Sequence, residues 1–423
     1  MSVALVHTRG LPSSRVPRLR RFARTTPGLV IAVTLVLVAS CAGAAVVCAA
    51  GLHQRIAAHD NVLGYSEPFA FAAQNLYAAL SEADATAASA FLSGGIQTPA
   101  MRERYNEAVA AAASALGDVS AGATDMGVRT AVAEITVQLA TYTGLIEAAR
   151  ANNMRNSPVG SAYMREASSL MQTGLLPGAR QILDRGLDAL DAEQASVGAR
   201  PVVEIVLLAL IVAEIVAASW MLLRRTNRQF NIGLVVAAGV LVLAIVFLVV
   251  ATRLAAGDID RGRAVGTERF EHLAAARILA QQARTEETLE LIARGDITSF
   301  EEKYAGDIRG LLTELEAGPQ SAVDAVHRWT ASHDKQVRAY RDGDFATAMA
   351  QAIGADPEAS PAQFGVVETG LRAEIETTRT AMRAMVSSAG AALAWTPPVV
   401  VVSAALAAAA VIAGMWPRLK EFL

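Results

Sequence analysis

The chain of 423 residues is 53% hydrophobic but only 5% aromatic, with mean hydropathy +0.34, so its apolar content is aliphatic and rich in alanine. Its net charge of −3 argues against the basic face that a nucleic-acid binder needs, and lysine occurs only at positions 303, 335 and 420, a composition bias with no mechanism attached. Alanine and leucine are strong helix formers, which makes an all-α protein the expectation. No P-loop, kinase signature, G-x-S-x-G elbow or H-E-x-x-H motif occurs, and we expect neither an enzymatic activity nor a cofactor.

Residues 1–27 form an arginine-rich N-terminus, with Arg9, Arg15, Arg18, Arg20, Arg21 and Arg24 and no acid before Asp60. The first apolar stretch, 28–52, is long enough to cross a bilayer. It also contains "LVASC", which resembles a bacterial lipobox ending at Cys41. The chain stays apolar for some ten residues beyond that cysteine, which favours an uncleaved span. Cys41 and Cys48 are then packing residues within one span.

Residues 53–200 follow as a first outer segment. A helix is expected to begin near Ser66–Pro68 and to stop at Gly94–Gly95, and Thr98–Pro99 starts the next, with Tyr105, Val109, Ala112 and Leu116 on one face. Val132, Ile135, Leu139, Tyr142 and Ile146 form a further seam, and Ser157–Pro158 opens the last arm. The second span is 201–223. Glu204 lies near its end, within reach of water, whereas Glu214 lies near its middle, where an ionised carboxylate costs a few kcal/mol. Glu214 is expected to face the helix bundle, either latched to a polar group such as Thr34 or Ser40 or used in partner contact.

A short linker, 224–231, carries Arg224, Arg225 and Arg228 and joins this span to the third, 232–251. The second outer segment, 252–396, repeats the plan. A long helix ends at Gly295, and Thr298 with Glu301 reads as a capping box. Val323, Val326, Thr330, His333, Val337 and Tyr340 form a seam, and Ser360–Pro361 begins a helix through Phe364, Val367, Leu371, Ile375, Thr378 and Met382. A fourth span, 397–416, leads to a tail, 417–423, with Arg418 and Lys420. Short arginine-bearing loops mark the cytoplasmic side. This puts both termini and the linker inside, and both long segments outside, of a plasma membrane. The architecture expected is four transmembrane helices carrying two extracytoplasmic four-helix bundles as an internal tandem repeat.

Few residues suggest chemistry. His327 and His333, six apart, lie on different faces of a helix, so no metal site is expected; His333 reads as a buried, hydrogen-bonded core residue. Arg277 and Arg284, seven apart, share a face. They either hold a ligand carboxylate or pair with acids such as Glu286 and Glu287. The linker arginines suit anionic lipid headgroups or an acidic face of a partner.

The four-span plan, together with "NSPVGSAYMREASSLMQ" (156–172) and "ARILAQQARTEETLELIARGD" (276–296), resembles the GlnX-like family of actinobacterial membrane proteins. That resemblance implies a relay. It would act with an extracytoplasmic solute-binding lipoprotein that senses glutamate or aspartate, and report to the cytoplasmic serine/threonine protein kinase G. It carries over no binding residue. A scaffold or structural role in the envelope is the alternative, and a transporter is disfavoured because the spans hold so few polar groups.

The orientation has a direct test. With Cys41 and Cys48 replaced, a cysteine at Arg225 should resist membrane-impermeant thiol reagents in whole cells, whereas one at Ser332, in the second outer segment, should react. Labelling at 225 would reverse the topology.

Overall fold

The computed structural model describes residues 26–93, 99–155, 157–226, 231–293 and 295–420. The N-terminal arginines, the Gly94–Gly95 stop, the Thr98 cap and Arg228 lie outside the described residues. The regular structure described is helical throughout. In the first half the helices are α1 (Thr26–Asn61), α2 (Glu67–Leu92), α3 (Pro99–Ala121), α4 (Met126–Asn153), α5 (Val159–Leu170), α6 (Leu176–Gly198) and α7 (Val202–Thr226). In the second they are α8 (Ile232–Gly262), α9 (Glu268–Ala293), α10 (Thr298–Glu314), α11 (Gln320–Arg341), α12 (Phe345–Ile353), α13 (Ser360–Ala394) and α14 (Thr396–Lys420).

The chain divides into two compact units. One comprises the described residues of 1–57, 198–256 and 389–423. It contains the most apolar parts of the four helices that are long and apolar enough to cross a membrane. Its core is a seam of alternating three- and four-residue steps: Leu37, Cys41, Ala44 and Cys48 on α1, Leu208, Ile211, Ile215 and Leu222 on α7, Leu234, Ala237, Leu241 and Leu248 on α8, and Val400, Ala407, Val411 and Met415 on α14. That spacing gives knobs-into-holes packing of near-parallel helices. The opposite faces expose Leu35, Val46, Leu210, Leu243 and Leu406, as contact with lipid requires.

At one end of this unit α8 and α14 touch backbone to backbone. A Cβ on Gly233 would overlap the Ala410 carbonyl and the Gly414 backbone. Asn231 locks the contact, donating from Nδ2 to the Gly414 carbonyl at 2.9 Å and accepting from the Gly233 amide at 3.0 Å. Glu204 is buried, against expectation, with its carboxylate over Gly51 where no Cβ stands in the way. Glu214 is exposed, also against expectation. The seam of α7 passes through Ile211 and Ile215, so residue 214 is rotated off it and faces outward. Thr34 spends its hydroxyl on the Val30 carbonyl instead.

The second unit comprises 58–197 and 257–388 together. A division into one bundle per segment is not shown by this packing: α2 lies against α3 and also against α9 of the other half. Ile278 and Ile292 of α9 enter the core formed by the first half. The expected seams on α3, α4 and α13 are buried in both halves, with Tyr105, Ala112 and Leu116, all five residues of the 132–146 seam, and Val367, Leu371, Ile375, Thr378 and Met382 inside.

Three helix boundaries differ from the sequence reading. No helix starts at Ser66; the chain stays helical through a π turn at Val62–Ser66, which accommodates Pro68 and its missing amide hydrogen. A second π turn, Met171–Leu175, precedes Pro177, while a third at Arg263–Thr267 occupies the position of the first without a proline. Thr298 and Glu301 form no capping box, because Asp296 takes the Thr298 amide at 2.9 Å and hydroxyl at 2.6 Å. At the start of α13 the Ala359 carbonyl accepts from the Gln363 amide at 3.2 Å, so Ala359 is the cap and the Ser360 side chain turns inward. Ser332 is buried as well, so the outer thiol reporter belongs at the exposed Lys335.

Candidate functional site

A shift of 200 residues superimposes the burial pattern of 81–90 on that of 281–290, position for position. The chemistry at those positions is opposed. Where α2 buries Ala83, Asp84, Ala87 and Ala90, α9 buries Ala283, Arg284, Glu287 and Glu290. A helix can bury that much charge only if every group finds a partner. The partners of α9 define the candidate site, and they fall into two groups.

The first lies around Arg277. Its guanidinium is buried and donates from Nε to Glu368 Oε1 at 2.8 Å, from Nη2 to the same oxygen, and from Nη1 to Gln74 Oε1 of α2 at 3.3 Å. Glu368 is completed by Gln281 at 3.1 Å and Arg372 at 3.1 Å. Beside this network a cleft of about 970 Å³ is lined by Tyr65, Phe69, Phe71, Gln74 and Glu82 from the first half and by Arg277, Arg372, Glu376 and Arg379 from the second. Arg379 lies 3.9 Å over the ring of Phe71 and, with Arg383, pairs with the buried Glu67. Gln74, one of the lining residues, has a buried Nε2 without a hydrogen-bond partner in the protein. Burial raises the pKa of Glu82, and Glu368 adds to the rise while Arg372 and Arg277 oppose it.

The second group lies two turns on. Arg284 donates to Glu287 Oε2 at 2.6 Å, to Ser360 Oγ at 3.2 Å and to the Ala352 carbonyl at 3.0 Å. Ser360 donates to Glu287 Oε1, and the indole of Trp329 donates to Ser360 at 2.9 Å. His333 stands between two acids, with Nε2 at 2.9 Å from Glu301 Oε1 and Nδ1 at 3.3 Å from Glu287 Oε1. The Nδ1 contact has ion-pair distance but not the angle of a formed hydrogen bond, and that nitrogen has no hydrogen-bond partner in the protein. Tyr304 stacks on the imidazole at 3.7 Å between ring centroids.

The ionisation states follow from these contacts. Burial works against the Glu287 carboxylate, but Arg284, His333 and Ser360 together hold its pKa at about 2. Burial likewise disfavours the imidazolium, but Glu287 and Glu301 raise the His333 pKa to about 10. Burial, joined by the neighbouring Glu301, lifts Glu290 to about 8 against the pull of the His333 charge. Glu301, opposed by burial, is held low by the hydrogen bond and charge of His333.

The sequence-derived candidates therefore separate. Arg277 borders the cleft and Arg284 belongs to the buried cluster; Glu287 is indeed a partner of Arg284, though away from solvent, while Glu286 pairs with Lys303 at 3.4 Å. Arg224 is exposed, its guanidinium 3.8 Å over the ring of Trp220, and Glu214 is exposed on the same helix. Nothing is described of the side chains of Arg225 and Arg228. His333 is the buried, hydrogen-bonded residue expected. Trp329, Glu301 and Ser360 were missed as members of its cluster; the three-residue steps from Val326 through Trp329 were the available signal for the first.

Residues 58–195 match the family model of an actinobacterial sensor domain. That match covers the first-half residues of the second unit. No curated protein matches the chain, and no solved structure does.

The counterpart of Arg284 in the matched segment offers a test. Asp84 is fully buried and accepts from Ser168 at 2.7 Å and Tyr142 at 3.3 Å. Burial raises its pKa from 3.8 to about 6 despite those hydrogen bonds. A raised acid favours the protonated fold, so its contribution is present below about pH 4 and is lost as pH rises through 6. Asp84→Asn should remove that dependence, leaving the variant more stable than the native protein at pH 7.5 by up to about 3 kcal/mol and no more stable at pH 4. Parallel melting profiles for the two proteins across this range would contradict the assignment.

Proposed function

We propose that this protein is a non-enzymatic transmembrane sensor or relay, which couples an extracytoplasmic signal to a cytoplasmic partner. The observation that carries the reading is the sensor-domain match at 58–195 in a chain with four helices long and apolar enough to cross a membrane. The correspondence of 81–90 with 281–290 supports reading 257–388 as a second, diverged copy of the same domain, giving a tandem arrangement in one chain. The arginine-bearing flanks support placing both termini and the 224–231 linker inside.

In this reading the outer unit receives the input through the Arg277 cleft, where residues of both copies meet. The resemblance to GlnX-like proteins supports amino-acid availability as the signal, presented by a solute-binding lipoprotein, and a serine/threonine protein kinase as the inner partner. Helix shifts of about 1–2 Å suffice for switching in such systems. The linker is the natural reader, since it joins the last span of one copy to the first span of the other.

Replacing Arg224, Arg225 and Arg228 together with glutamine should abolish kinase-dependent signalling, while the protein still inserts at normal abundance and with normal topology. Unaltered signalling in that variant would reduce the linker to a topological anchor.

A further inference from the structure

We propose that Glu290, Glu301 and His333 form a binding site for one divalent transition-metal cation of the Zn²⁺ class, which ties α9, α10 and α11 together. The three residues come from different helices, and one ligand atom from each lies within 4.8 Å of the others. His333 Nε2 and Glu301 Oε1, 2.9 Å apart, are spaced like neighbouring ligands of a cation bound at about 2.0–2.1 Å.

Three features separate this cluster from an ordinary group of acids. Glu290 is buried to 1% exposure, and its Oε2 has no hydrogen-bond partner in the protein. Its other oxygen is held by Gln336 Nε2 at 2.5 Å, which fixes the orientation of the carboxylate. The Nδ1 face of His333 looks at Glu287 Oε1 at 3.3 Å. A carboxylate at that distance is placed to take the Nδ1 proton once a cation replaces the Nε2–Glu301 hydrogen bond, as in a metal-binding imidazole. Tyr304 covers the ring on one side.

Charge and donor type agree. Arg284 pairs with Glu287, so that once their protons are displaced Glu290, Glu301 and His333 offer two carboxylates and a neutral imidazole to one divalent cation. A nitrogen donor favours Zn²⁺, Co²⁺ or Mn²⁺ over Mg²⁺ and Ca²⁺, which prefer all-oxygen sites. Binding would displace protons from the ligands, because coordinated imidazole and carboxylate are deprotonated. The site lies apart from the Arg277 cleft, so the inference stands whether or not the signalling reading holds.

The test uses the purified full chain in detergent, with any affinity tag removed and the protein stripped with a chelator. Zn²⁺ is titrated against a competing chromophoric chelator in the native protein and in Glu290→Gln, Glu301→Gln and His333→Gln. We expect one high-affinity site per native chain, weakened at least about tenfold in each variant, unchanged by His272→Gln at the exposed His272–Glu314 pair, and not filled by Mg²⁺ or Ca²⁺. Helical circular dichroism and a cooperative melt show whether each variant is folded. The Co²⁺-loaded native protein gives a second readout that needs no variant, a visible d–d spectrum with nitrogen ligation. Equal Zn²⁺ affinity in the native protein and a folded His333→Gln variant would overturn the proposal. So would a Co²⁺ spectrum of six oxygen ligands.

Discussion

The second unit depends on the burial of charge along one helix. α9 sets Arg277, Arg284, Glu287 and Glu290 inside the protein, and taking each of those charges from water costs several kcal/mol unless it is met by an opposite charge and well-placed hydrogen bonds. The surrounding helices are arranged to meet that demand. α13 supplies Glu368 and Ser360, α11 supplies Trp329, His333 and Gln336, and α10 supplies Glu301. Gln74 reaches across from α2, so even the first half is drawn into satisfying the second. Hydrophobic contact alone would let these helices slide along their alanine-rich faces; the ion pairs and hydrogen bonds fix their register.

The two halves share a plan but have divided its chemistry. At the position where α9 carries Arg284, α2 carries Asp84, and where α13 carries Glu368, the first half carries Ser168. Asp84 with Ser168 and Tyr142 is a neutral-leaning, hydrogen-bonded contact, while Arg277 with Glu368 is a full ion pair. Alanine on α2 permits close helix approach, and glutamate on α9 replaces that contact with electrostatics. The sensor-domain model matches 58–195, and the burial pattern of 81–90 recurs 200 residues later with different side chains. The repeated π turns, at Val62–Ser66 with Pro68 nearby and at Arg263–Thr267 without a proline, tell the same story. The second half lacks the proline and still has the π turn.

Much of the fold was legible because its signals are long and periodic. Four apolar runs gave four membrane-length helices, and the seams at 132–146 and 367–382 are buried as their spacing requires. The errors arose where a side chain had two plausible partners. Glu301 is spaced for a capping box with Thr298, but Asp296 reaches the Thr298 amide first and leaves Glu301 for His333. Ser360 is a good cap by type, yet the buried carboxylate of Glu287 holds its hydroxyl. Glu214 was placed inward because an ionised acid facing lipid in mid-span is costly, but the seam phase of α7, set by Ile211 and Ile215, decides its direction. The candidate site was half visible. Arg277 and Arg284 stood out as a pair on one face, and Glu287 as a nearby acid, whereas the other partners lie 68 to 203 residues away in sequence and no local pattern announces them.

The measurement that bears most directly on this account is a double-mutant cycle at Arg284 and Glu287, read as unfolding free energy of the purified protein. Replacing either residue with a methionine strands the other charge, and each single change should cost about 3–5 kcal/mol. Replacing both should cost far less than the two single losses together, because an apolar pair leaves no uncompensated charge inside. Small and additive losses would contradict the account, since they would mean that the second unit stands without the charges buried on α9.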